Sequence, residues 1–313
     1  MKFFKYIVLV MLFVSFTQAT LKAQNQVNIS QYMLYQPLLN PSAIGSYNDI
    51  NAAILHRNQW TGFSGAPKSN MLSVNSPIGK TNLAVGLGFQ QEKIGVSNST
   101  AVFANIGYRF KIDRDSYLSA GVSLGADFFN LSYGQLLNSD LDPELNYGTK
   151  TNNFMNPLAR LGVFYFKQNF YVTAYIPNML TPKFSYDGSD VTSVTSFNAE
   201  NLHYYIQSGY RHKISNKLEM NFSTLLKKSS TFQFDLNAQA LINNFIGFGA
   251  SYRSSQELAI LVNVKLIDKL KIGYAYDYAL NKLATVSNGS HEIMLILDLN
   301  KEYKRASIQV PRF

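Results

Sequence analysis

The sequence predicts an all-β protein, a single antiparallel transmembrane β-barrel of about 14 strands with short periplasmic turns and longer outer loops. Three observations predict it. Segments about ten residues long alternate between polar and apolar side chains, and a period of two is the period of a strand. The links between them tend to be short and long by turns, as in outer-membrane barrels. The chain opens on what reads as an export signal, yet no later run approaches the roughly 20 apolar residues of a spanning helix.

Taken in order, the 313-residue chain starts with Lys2 and Lys5, then the apolar run Ile7–Phe16. Ala23 before Gln24 fits a cleavage point, so residues 1–23 read as a signal peptide. Cysteine is absent, which removes a lipoprotein anchor and disulfides and leaves a closed hydrogen-bonded barrel as a way to hold an exported protein together. Tyr (20) and Phe (22) are abundant and Trp occurs once. Such residues suit interfacial girdles, and they would suit a β-sandwich core equally. The formal charge of +9 includes Lys2, Lys5 and Lys22 of the leader. What remains is diffuse, so no nucleic-acid partner is expected.

Alternation is clearest at Thr231–Leu241. Thr231, Gln233, Asp235, Asn237 and Gln239 form one face; Phe232, Phe234, Leu236, Ala238 and Ala240 form the other. With turn signals added, strands are predicted near 49–57, 68–75, 81–91, 98–111, 116–129, 156–167, 169–177, 202–213, 217–227, 231–242, 244–254, 256–266, 269–280 and 289–299. The links at 75–80, 111–116, 167–169, 213–217, 243–244 and 267–269 are short. Those at 58–68, 91–98, 130–155, 177–201 and 281–288 are longer, with 228–230 and 254–255 as short exceptions. A sandwich has no reason to sort links by parity.

The two faces then acquire environments. Leu258, Ile260, Val262, Val264 and Leu266 are expected to meet lipid, and Glu257, Asn263 and Lys265 the lumen. Gly121 with Gly125, and Gly247 with Gly249, share a face of their strands, leaving room for a plug or allowing strand bending. Catalytic patterns are poor. His291-Glu292 opens like a zinc-protease motif, but Leu295 stands where the second His belongs. His56, His203 and His212 form no compact set. Gly86-x-Gly88 and Gly247-x-Gly249 lack the third glycine and following helix of a dinucleotide loop. Asp113 and Asp115 flank Arg114 in what reads as a solvated turn. No catalytic, cofactor-binding or metal-ligating residue is assigned, and no enzymatic function is expected.

Two segments break the alternation. The first, Gln31–Gly45, is rich in aromatic, amide and proline residues, and Pro37 and Pro41 disfavour a ladder. The second, Arg57–Pro67, carries the only Trp. Both read either as a leader and an ordinary loop or as an insert packed in the barrel mouth.

These segments carry a resemblance. Gln31-Tyr32-Met33, Asn40-Pro41-Ser42-Ala43-Ile44-Gly45, Arg57-Asn58-Gln59-Trp60, Gly62, and Gly65-Ala66-Pro67, together with Ser290-His291-Glu292-Ile293-Met294-Leu295 near the end, resemble the PorP/SprF family. That family usually has Ala-Tyr-Ala-Gly after Asn-Pro, where this chain has Ser42-Ala43-Ile44-Gly45. The resemblance implies an outer-membrane barrel of the type IX secretion and gliding system of Bacteroidetes, assisting export or surface anchoring of a secreted adhesin. It also implies periplasmic secretion or peptidoglycan-associated partners, outer-membrane lipid around the barrel, and no cofactor. Residues 24–48 are then expected as a lumen or periplasmic segment, 49–299 as the barrel and 300–313 as a periplasmic tail. Gln31, Tyr32, Met33, Asn40, Pro41, Gly45, Arg57, Gln59, Trp60, Gly62 and Pro67 are the expected lumen or partner contacts. An outer-membrane channel for small or hydrophobic solutes is the alternative.

Overall fold

A computed structural model describes residues 27–132, 151–187, 190–229 and 231–299. The first strands are β1 (Ile50–Asn58), β2 (Lys68–Pro77), β3 (Leu83–Ile94), β4 (Ser97–Lys111), β5 (Ser116–Ser132), β6 (Thr151–Lys167) and β7 (Phe170–Ile176). A hairpin follows, β8 (Leu180–Asp187) and β9 (Asp190–Phe197). The rest are β10 (Tyr204–Lys213), β11 (Leu218–Lys228), β12 (Phe232–Ile242), β13 (Ile246–Arg253), β14 (Glu257–Ile267), β15 (Leu270–Ala279) and β16 (Ser290–Leu299). All but β8 and β9 form one closed antiparallel barrel of 14 strands, sealed where Ile50–Asn58 pairs with Leu299–His291. Closure leaves the barrel no unpaired edge, the condition for strands in lipid.

The barrel has a polar interior and an apolar exterior. On β12, Asp235, Asn237 and Gln239 are buried while Leu236 is 47% exposed. On β14, Leu258, Ile260 and Leu266 are exposed and Glu257 and Asn263 buried, the division that alternation predicts. Exposed aromatics gather near the strand ends: Phe110, Phe170, Tyr210 and Phe245 at one rim, Phe128, Tyr204, Phe232, Tyr252 and Tyr278 at the other. Their amphipathic rings suit the two interfaces of a bilayer.

The rims differ in their links. One rim has only tight turns; between β12 and β13, Asn243 and Asn244 both adopt φ 52°, left-handed positions of a tight turn in which the Phe245 N–H donates to the Ile242 carbonyl at 3.0 Å. In the β4–β5 turn the Asp113 carboxylate accepts from the backbone N–H groups of Asp115 (2.9 Å) and Ser116 (2.8 Å). Bonds from Ser116 and Asp115 hold its carboxyl below the usual range, the chemistry of a turn.

Two expectations need correction at the opposite rim. The β3–β4 link, read as long over 91–98, is a tight turn with Gly95 at φ +56°. Here Gln90, Gln91, Glu92 and Lys93 continue β3 as paired strand; both faces are polar, so the alternating signal fades before the strand ends. β5 and β6 also run beyond the expected 129 and 156, pairing as far as Ser132 and Thr151; there the neighbours Phe154 and Met155 put apolar side chains on both faces and break the alternation. The link 177–201 is long, as expected, and carries the β8–β9 hairpin. Residues 133–150, with the acidic Asp140, Asp142 and Glu144 of the expected outer loop, lie outside the described residues, as do residues 1–26 and 300–313.

The exterior makes a first prediction. Ile260→Lys, in the outward row of β14, should destabilise the barrel in lipid vesicles by about 2–4 kcal/mol if it lies at mid-bilayer. Denaturant titration would measure this, and an unchanged midpoint would refute the lipid-facing assignment.

Candidate functional site

The lumen is occupied by the chain's own residues 27–46. Ile29, Tyr32, Met33, Leu34, Tyr35, Leu38, Ala43 and Ile44 are all buried, and most of them pack with wall residues Leu55, Met71, Phe164, Tyr171 and Met294 in one apolar cluster. The prolines explain why this stretch forms no fifteenth barrel strand. Pro37 and Pro41 have no N–H to give a ladder, and both sit in the first turns of short 3-10 helices, Gln36–Leu38 and Pro41–Ser46.

At the long-link rim the segment meets a charged wall. Seven consecutive strands each supply one buried ionic side chain: Arg57, Glu292, Asp277, Glu257, Arg253, Asp235 and Lys227. Arg57 lies opposite Glu292 in register, bonding it at 3.0 Å and Asp277 at 2.7 Å. Arg253 pairs with Asp235 at 3.2 Å and also with Glu257, and Lys227 lies 3.6 Å from Asp235.

The segment completes this network with neutral groups. The Glu292 carboxylate accepts from the backbone N–H of Ser30 and of Gln31, both at 2.9 Å. The Ser30 hydroxyl donates to Asp277 at 2.6 Å and accepts from Arg57 at 3.2 Å and Arg253 at 3.3 Å. Lys227 donates to Asn28 Oδ1 at 2.8 Å. Buried charges persist only when paired and hydrogen-bonded, and these satisfy that requirement from two directions.

Toward the tight-turn rim the wall is small instead. A methyl group on Gly162 would lie 2.2 Å from Asn40 Oδ1, and one on Gly121 2.5 Å from the Pro41 carbonyl carbon. Asn40 caps the Pro41–Ser46 turn: its Oδ1 accepts from Ser42 N–H at 3.0 Å, and its Nδ2 donates to Thr173 at 2.5 Å. Ser119 donates to the Ser42 carbonyl at 2.7 Å and leaves no room for a side chain at Gly45. Between the two walls Tyr35 donates to Asn51 at 2.5 Å and accepts from Asn75 at 2.8 Å.

The motif residues therefore separate into three places. Gln31, Tyr32, Met33, Asn40, Pro41 and Gly45 lie in the lumen, and Arg57 faces them from β1. Gln31 Nε2 also reaches the Glu292 carbonyl at 3.3 Å, and Tyr32 accepts from Ser223 at 3.5 Å. Gln59, Trp60, Gly62 and Pro67 belong to the rim loop after β1. Gln59 N–H bonds the Pro67 carbonyl, and Trp60 N–H bonds Ser290 Oγ at 3.1 Å. Trp60 (φ 47°) and Gly62 (φ +91°) bend the loop left-handed, and Thr61 exchanges backbone bonds with Asn288 and Gly289. Of the paired glycines, Gly121 makes room for the segment. Gly125, Gly247 and Gly249 make room for Phe103, Asn263 and Gln239 of adjacent strands. Sequence reasoning missed Gly107, Gly162 and Gly273, which face Ile44, Asn40 and Gln31, and the ionic ring; an inward charge on each successive strand was the available signal.

These features define a class: a transmembrane β-barrel closed from within by its own N-terminal segment. The chain belongs to the family described as type IX secretion system membrane protein PorP/SprF, whose model matches residues 21–297. Among curated proteins, none matches this sequence. Solved structures similar to it include the Ralstonia pickettii toluene transporter TbuX, 12% identical with a TM-score of 0.49 over 83% of this chain and 92% of that one. The CymD monoaromatic hydrocarbon channel is 11% identical with a TM-score of 0.47, covering 89% and 95%.

Arg57→Met should destabilise the folded barrel by about 3–5 kcal/mol, because it strands Glu292 and Asp277 as uncompensated buried carboxylates. Unfolding titrations would measure the loss. A change under about 1 kcal/mol would mean that the network does not hold the segment.

Proposed function

We propose that the protein is a non-enzymatic outer-membrane component of type IX secretion that assists export or surface anchoring of a secreted adhesin by binding it. The observation that carries this reading is the filled lumen in a member of a secretion-system family. A barrel blocked by a well-bonded segment offers its rims rather than a conduit. The long-link rim, with the β8–β9 hairpin, is the proposed adhesin-docking side, since exposed loops on a rigid scaffold commonly carry recognition. The tight turns and the tail 300–313, with Lys301, Lys304, Arg305 and Arg312, are proposed to face periplasmic secretion or peptidoglycan-associated partners. Residues 1–23 are proposed to direct export and to be removed after Ala23, leaving 24–48 as the lumen segment ahead of the barrel at 49–299. A role in gliding follows if the adhesin serves it.

Two measurements test the proposal. Deleting the gene should remove one adhesin from the cell surface while general outer-membrane content stays constant; unaltered display would end the docking reading. In planar bilayers the intact protein should conduct negligibly and a variant lacking residues 27–46 should conduct ions, with heat-modifiable gel migration reporting that the variant folds. Substantial conductance by the intact protein would favour the solute-channel alternative.

A further inference from the structure

Above the lumen segment, on the long-link side, the described residues enclose a vestibule of about 600 Å³. Val27 and Leu39 of the segment contribute to its floor, and Phe184 of β8 to its roof. On one wall Glu92 and Asp127 belong to neighbouring inward rows: Glu92 pairs with Ser99, and Asp127 with Ala101. Ser99 Oγ donates to Asp127 at 2.6 Å. Among the described residues neither carboxylate forms an ion pair, in contrast to the ring just described.

The cation lining the same space is committed elsewhere. Arg160 lies 4.0 Å over the Phe103 ring and donates from Nη2 to Gln90 at 3.0 Å. It is 94% buried by its 6% exposure, and its Nε has no hydrogen-bond partner. A buried guanidinium N–H without an acceptor calls for one from a ligand. The space thus presents two carboxylates that form no ion pair, one unfilled donor, and aromatic surface from Phe129, Phe184 and Tyr205.

Resting on the docking reading above, we propose that this vestibule binds an extended polypeptide segment of the secreted partner carrying a basic side chain between aromatic or apolar residues. The basic group meets Glu92 and Asp127, a backbone carbonyl accepts from the Arg160 guanidinium, and the apolar neighbours pack on the aromatic walls. An anionic or purely apolar ligand would leave the carboxylates unmatched.

The test uses the purified full-length protein in detergent and two synthetic probes, acetyl-Ala-Phe-Lys-Phe-Ala-amide and its Glu-for-Lys counterpart, followed by calorimetry. The basic peptide should bind at least about tenfold more tightly. The double variant E92Q/D127N, with its fold checked by heat-modifiable migration, should erase that preference. Equal affinities, no binding of either peptide, or a preference surviving the double substitution would overturn the proposal. Adhesin display separates it from the docking reading. If the double variant loses the peptide preference but displays adhesin normally, the vestibule is not the recognition site and docking lies elsewhere on the rim. If gene deletion leaves display intact, the docking reading itself fails.

Discussion

The structure depends on one constraint: polar side chains turned inward by a lipid-facing barrel must find partners inside it. A closed ladder settles the backbone groups laterally but leaves the inward rows unsatisfied. Water can do this in a porin. Here much of the work falls to residues 27–46, and the decisive contact is the Glu292 carboxylate, which binds the backbone N–H groups of Ser30 and Gln31 and the guanidinium of Arg57. This contact fixes the segment by its main chain, so it constrains position without depending on a particular side chain at residue 30. Ser30 adds its hydroxyl as a hinge between two arginines and Asp277.

The two halves of the lumen divide the task differently. The half built from β11 through β16 and β1 holds the segment by charge; the half around β4, β5 and β6 holds it by shape. Charge suits the stretch 28–31, where extended backbone has N–H groups to offer. Shape suits Pro41–Ser46, whose compact turn satisfies itself through Asn40 and Ser46 and needs only close approach. The glycines at 107, 121 and 162 grant that approach because any Cβ there would collide with the turn. The result is directional. Residues 28–31 lie at the long-link rim beside Lys227 and Glu292, and Asn48 lies toward the tight turns, where Arg109 binds it. The segment thus runs down the lumen before β1 runs back up.

Much of this was legible. Strand count and faces follow from alternation because lipid punishes a charge on one side and the lumen rewards polarity on the other; Leu258 and Glu257 differ for that reason. Link parity was less reliable. At the long-link rim the alternation breaks down: Gln90, Gln91, Glu92 and Lys93 make the end of β3 polar on both faces, while Phe128 with Phe129 on β5 and Phe154 with Met155 on β6 put apolar residues on both, so these strand ends leave no alternating trace. The hairpin Leu180–Phe197 is hidden for a related cause: it packs on the rim rather than in the sheet and has no lipid face. In the lumen, residues 31–45 stood out through their prolines and broken period. Their partners did not, because Gly162 or Asp277 looks like any inward residue until three-dimensional register brings it opposite Asn40 or Ser30.

The filled lumen also changes what polar inward rows mean. In an open pore such rows are bathed by water and present charge to passing ions. In this barrel Asp235 and Glu292 are fully buried, and their charge is consumed by arginine, lysine and main-chain N–H groups. A moving plug would have to break several charge-assisted bonds together, each among the stronger hydrogen bonds, and leave the carboxylates stranded. That cost argues against routine gating and for a static core that holds the two rims in fixed relation. The carboxylates without such partners, Glu92 and Asp127, sit above the segment where the lumen opens. Polarity that is spent and polarity that is left over are thus separated along the barrel axis, and only the second kind is available for recognition.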